Sequence, residues 1–153
     1  MGNHRSRLWA AAGLALLALA TPACVKAPIL AVDGLKLGDM GVTGVALDVR
    51  FRVRNPNPEP LNIDRMEYEL FVNGNRLGRG FDSKGLPLEG FGEGKVQSRV
   101  DVNFLALPGA VKDVLHQDKV KARVKGHFYT SGHYGNKRLG FDADAEVNLR
   151  DRS

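Results

Sequence analysis

The chain has 153 residues, 22 Lys+Arg against 17 Asp+Glu, a net charge of +5 and a single cysteine. That length suits one domain, and one cysteine excludes an intramolecular disulfide. The charges are interspersed, which argues against the clustered basic face that a nucleic-acid partner needs.

Arg5 and Arg7 precede an unbroken apolar stretch over residues 8–20. Crossing a bilayer takes about 20 such residues, so this stretch has the length of a signal-peptide core. Residues 1–23 are therefore read as a signal peptide. Ala20-Thr21-Pro22-Ala23 leads into Cys24. A lone cysteine directly after a signal core resembles the lipobox of bacterial lipoproteins. That resemblance implies an acylated Cys24 as the first mature residue, with palmitate-type chains. Thr21 stands where the box usually has Leu, and Pro22 is unusual there. The other reading is an ordinary signal-peptidase cut after Ala23 or Ala20. Several acyl chains on one residue anchor stably. Val25, not Asp, follows the cysteine, so the expected location is the cell envelope, at the outer membrane facing the periplasm. Residues 24–33 read as a lipidated tether of about 30 Å at full extension. The folded domain is expected over residues 34–150.

Alternation with period two then recurs along the chain, which is the strand signal. Val45, Leu47, Val49, Phe51 and Val53 share one face, opposite Asp48, Arg50, Arg52 and Arg54. Three prolines in Asn55-Pro56-Asn57-Pro58-Glu59-Pro60 remove backbone donors and end that ladder. Met66, Tyr68, Leu70 and Val72 form the next apolar face. Phe71 breaks the alternation, and the facing of Phe71, Phe81 and Phe91 is open. Asn73-Gly74 suits a tight hairpin, with residues 76–81 returning. A glycine-rich loop covers residues 83–95. Val96, Ser98, Val100, Val102 and Phe104 then point inward. Pro108 and the stripe Leu107, Val111, Val114, Leu115 predict one short helix over an end of the fold. The last hairpin sets Val120, Ala122, Val124 and Phe128 inward, and Lys119, Lys121, Arg123 and Lys125 outward. Its second strand sets Leu139, Phe141, Ala143, Ala145, Val147 and Leu149 inward, and Asp142, Asp144 and Glu146 outward. A basic wet face thus meets an acidic one, which helps to fix partner and register. Six or seven such strands predict an all-β antiparallel sandwich.

A valine-rich strand ending in Asn55-Pro56-Asn57, then Pro60-Leu61-Asn62-Ile63-Asp64, then a Tyr-containing strand into Asn73-Gly74, resembles the LEA type 2 family. This group includes the LEA14-like proteins and the water-stress and hypersensitive-response (WHy) domain. Residues 107–115 resemble its helix and residues 120–126 the strand that follows. The resemblance spans about residues 33–150. It implies an immunoglobulin- or fibronectin-III-like β-sandwich with one short helix, an association with desiccation and other stress, and no catalytic residues. Asn55, Pro56 and Asn57 are read as structural: the prolines stop the strand and the asparagines bond nearby backbone.

No catalytic constellation emerges. His4, His116, His127 and His133 lack metal-binding spacing, so neither metal nor cofactor is expected. The loop around Gly90-Phe91-Gly92 has Glu89 and Val96 where a phosphate loop needs Gly and Ser or Thr. Tyr129, His133 and Tyr134 surround the last hairpin loop and form a candidate partner-binding tip, against a reading as loop packing. The expected function is a non-catalytic, stress-protective envelope lipoprotein. Its partners would be the membrane, through the anchor, and stress-labile proteins or lipid headgroups. Neither nucleic acid nor a small-molecule substrate is expected. The alternative is an envelope adaptor that binds a protein through its loops or a sheet edge.

Overall fold

The structure is a computed structural model that describes residues 24–103, 105 and 116–149. The strands are β1 (Ile29–Met40), β2 (Gly44–Arg54), β3 (Leu61–Val72), β4 (Asn75–Asp82), β5 (Leu86–Leu88), β6 (Glu93–Asn103), β7 (Lys119–Gly132) and β8 (Lys137–Asn148). They form two antiparallel sheets, ordered β1-β2-β6 and β4-β3-β7-β8, with β5 extending the β4 edge beside the start of β3. The sheets face each other across one apolar core, with β1 beside β8 and β4 beside β6. This is the expected all-β sandwich.

Strict alternation builds the centre. Val45, Leu47, Val49, Phe51 and Val53 of β2 are all buried, while Arg50, Arg52 and Arg54 are exposed. They pack against Met66, Tyr68, Leu70 and Val72 of β3 and against Val120, Ala122, Val124 and Phe128 of β7. Phe51 meets the Tyr68 ring edge-on, with centroids 5.1 Å apart, a geometry that aligns opposite parts of the two ring quadrupoles. At Asn73-Gly74 both residues have positive φ, 48° and 82°. A two-residue turn needs this to match the twist of its strands.

Two bulges explain where alternation misleads. Residues 29–33, expected in the tether, belong to β1, with Leu30 and Val32 in the core. The register slips between Val32 and Gly34, so the inward parity changes to Leu35 and Leu37. One extra residue reverses every later side chain, and that hides β1 from a period-two reading. A second slip between Ile63 and Arg65 lets Leu61 and Ile63 face the core ahead of Met66. Leu70 points in and Phe71 is half-buried on the other face. The expected loop at residues 83–95 holds β5 and the start of β6. The helix expected around Leu107–Leu115 lies outside the described residues.

The charged hairpin face forms as anticipated, with one refinement. Lys121, Arg123 and Lys125 stand directly opposite Glu146, Asp144 and Asp142. Arg123 nevertheless pairs with Asp142 at 2.6 Å and Lys119 with Glu146 at 3.9 Å, both on the diagonal. An extended basic side chain overreaches the roughly 5 Å gap to its direct neighbour, so the diagonal acid suits its length.

Candidate functional site at the Asn-Pro-Asn end

After β2 the chain leaves one sheet for the other through residues 55–60. The prolines stop hydrogen bonding, and the asparagines replace it. Asn55 is fully buried and Asn57 nearly so. The Asn55 amide donates to the Glu59 and Glu89 carbonyls at 2.9 and 3.0 Å. Its oxygen accepts from the Asn57 backbone and side-chain N–H groups at 3.0 and 2.9 Å. Asn57 in turn grips Lys26 twice. Its oxygen accepts from the Lys26 N–H and its amide donates to the Lys26 carbonyl, both at 2.8 Å. The side chain thus acts as a peptide group from a neighbouring strand would, using the same donor and acceptor pair. Backbone bonds from Asn55 to Gly92 and from Phe91 to Asn57 fasten the next loop. Gly90 is required there, because a Cβ would lie 1.8 Å from the Pro58 carbonyl oxygen.

Three separate segments therefore meet at this end: residues 24–28, 55–60 and 89–92. The last hairpin loop, residues 133–136, joins them, since Leu61 pairs with both Leu88 and Gly132. Cys24 is exposed here. Phe91 is 61% exposed, and its φ of 56° is uncommon for a bulky residue.

The proposed aromatic tip divides in two. His133 and Tyr134 meet edge-on at 5.3 Å in the loop. Tyr129 lies back on the outer face of its sheet, where Arg65 stacks 3.9 Å from its ring centroid and Arg138 sits 5.9 Å away. Its hydroxyl donates to Glu67 at 3.2 Å. Arg65 and Arg138 were not singled out in the sequence. The cross-strand row Arg65–Tyr129–Arg138 is the signal that would have found them, and it needs the register.

Beside that row a shallow, open groove of about 810 Å³ crosses the outer face, with Glu67, Phe81, Lys125, His127 and Gly140 in its lining. Among the described residues, no three His, Cys, Asp or Glu side chains converge on one metal position. Exposed carboxylates on these faces are held below their ordinary range by arginine partners: Asp33 by Arg52, Glu69 by Arg76, and Asp142 by Arg123. Tyr68 is the reverse case. Burial pushes its phenol up to about 12, and among the described residues its hydroxyl makes no hydrogen bond of good geometry. The nearby Ser98 hydroxyl favours the phenolate but turns its own proton to the Phe81 carbonyl at 3.3 Å.

A family model for the late embryogenesis abundant protein group LEA_2 matches residues 50–145. The chain belongs to the LEA_2 family. The match begins in β2 and takes in the Asn-Pro-Asn crossover and both later hairpins. A solution structure from Arabidopsis thaliana superposes with a TM-score of 0.60 at 16% identity, covering 82% of this chain and 84% of that one. The X-ray structure of a structural-genomics target superposes at 0.51 with 6% identity, covering 84% and 91%. At such identities these likenesses concern the fold alone. No curated protein is similar in sequence.

Proposed function

We propose that this LEA_2 protein is a non-catalytic envelope lipoprotein that protects neighbouring proteins or lipid headgroups during water loss. Cys24 carries the lipid, and residues 1–23 are removed on export. The reading rests chiefly on the family match together with the character of the sheet faces. On the outer faces, acids and arginines alternate in exposed pairs such as Arg52–Asp33, Arg99–Asp48 and Arg123–Asp142. Such pairs are individually weak and remain open to solvent. As water activity falls, the same groups exchange water for the polar groups of a neighbour, which keeps client molecules apart without a specific pocket.

The test is drying. A labile enzyme is dried with the protein, rehydrated, and compared with an unrelated sandwich of similar charge. Recovery well above that control supports direct protection; recovery equal to it removes this mechanism. A second reading, an adaptor for an envelope protein, draws on one observation. Met40, Val42 and Leu105 expose apolar side chains at the end opposite Cys24. In-cell crosslinking from position 42 that traps no discrete protein would sink that reading.

A further inference from the structure

The grip of Asn57 on Lys26 changes the geometry of anchoring. A free tether over residues 24–33 would let the sandwich stand about 30 Å from its anchor. Instead the backbone is held from Lys26 onward, first by Asn57 and then as β1 from Ile29. Only Val25 separates Cys24 from the gripped residue. Two residues span at most about 7 Å. Whatever holds Cys24 therefore holds the Asn-Pro-Asn end.

We propose that this end is a membrane-seating face, in which Phe91 enters the headgroup boundary of the bilayer that carries Cys24 and the 133–134 loop lies beside it. This rests on the reading of Cys24 as acylated. Two features select the occupant. Cys24 is exposed at this end, so the acyl chains it carries on that reading place the hydrocarbon here. Phe91 also projects from a tip that is fixed in place. The Phe91 N–H donates to the Asn57 carbonyl and the Gly92 N–H to the Glu89 carbonyl, each at 2.9 Å. These bonds maintain a left-handed backbone at Phe91, a conformation that disfavours large side chains. The ring is 61% exposed all the same. An exposed apolar ring gains by leaving water for the acyl boundary. Tyr134, in the hairpin loop at the same end, has the apolar body and polar tip that favour the membrane interface. Seated this way, the protein stands with its strands away from the bilayer, and the Met40–Val42 tip lies at the far end of the described residues.

The experiment uses the full chain, expressed with export and purified from membranes. Intact mass first reads whether Cys24 is acylated. If it is not, its thiol is coupled to a maleimide phospholipid, so the orientation is tested even where the acylation reading fails. Phe91→Trp, Tyr134→Trp and Val42→Trp variants are placed in phosphatidylcholine vesicles with brominated acyl chains; Trp9 leaves with residues 1–23, so each variant carries one tryptophan, and where intact mass shows that segment retained the parent's signal is subtracted. A ring about 5–10 Å into the interface meets the brominated chains and should lose emission. Quenching at 91, less at 134 and none at 42 supports the proposal. Equal quenching at 91 and 42, or more at 42, overturns it. Soluble 91 and 134 variants with unchanged circular dichroism exclude misfolding as the cause.

Discussion

Replacing Asn55 with alanine should cost about 3–5 kcal/mol, a large share of the roughly 5–15 kcal/mol by which a domain is stable. The side chain makes four hydrogen bonds, two to the Glu59 and Glu89 carbonyls and two from Asn57. At about 0.5 kcal/mol net each, the low end of the usual range, the four bonds contribute about 2 kcal/mol, and leaving the buried Asn57 N–H unpaired adds about 1–3 kcal/mol. Urea unfolding followed by far-ultraviolet circular dichroism reads this directly. With a slope of about 2 kcal/mol/M, the midpoint should fall by about 1.5–2.5 M. Asn55→Asp isolates the cause, since it keeps shape and acceptor but turns a donor pair into an acceptor facing two carbonyls. It should be at least as damaging, because the new oxygen is buried against two carbonyl oxygens with no donor to meet it. A loss under about 1 kcal/mol for Asn55→Ala, or a neutral Asn55→Asp, refutes the account of the crossover as a hydrogen-bonded lock.

The remaining expectations concern other parts of the sandwich. Tyr68→Phe removes a buried hydroxyl that makes no hydrogen bond of good geometry among the described residues and should stabilise by about 1 kcal/mol. In the parent, burial raises the folded phenol from 10.0 to about 12, so stability is lost as pH rises from the first value through the second; Tyr68→Phe should flatten that limb in thermal melts. At the acid end the folded pKa values of Asp33, Glu69 and Asp142 are depressed from 3.8, 4.5 and 3.8. Their contribution is therefore present above the unfolded values and lost as pH falls through the folded ones. Arg123→Gln should make the melting temperature less sensitive to pH below about 4, and added salt should narrow the difference from the parent. Gly126→Ala places a Cβ 2.0 Å from the Glu67 carbonyl oxygen, whereas at Gly140 nothing is nearer than 3.9 Å. The first should unfold or lose more than about 3 kcal/mol and the second less than about 1 kcal/mol; similar denaturation midpoints would contradict the packing described.

The sequence by itself determined what local pattern can carry. β2, β6, β7 and β8 each keep one parity from end to end, so their core faces, their charged faces and their pairing preference follow from alternation alone. The prolines after Asn55 and the Asn73-Gly74 turn were legible for a similar reason, because φ restriction belongs to the residue itself. The tertiary structure decided everything that depends on a partner far along the chain. β1 was hidden because a bulge against β2 reverses its parity, and a bulge exists only relative to the strand it faces. Locally, Asn55 and Asn57 imply bonds to nearby backbone, yet their amides also reach Glu89, 34 residues away, and Lys26, 31 residues away. Tyr129 belongs with Arg65 and Arg138 rather than with His133, since register, not sequence distance, sets which side chains share a row. The short anchor has the same origin. Residues 24–33 contain nothing that forbids a free tether; the strand they join and the asparagine that holds them are supplied by the rest of the fold.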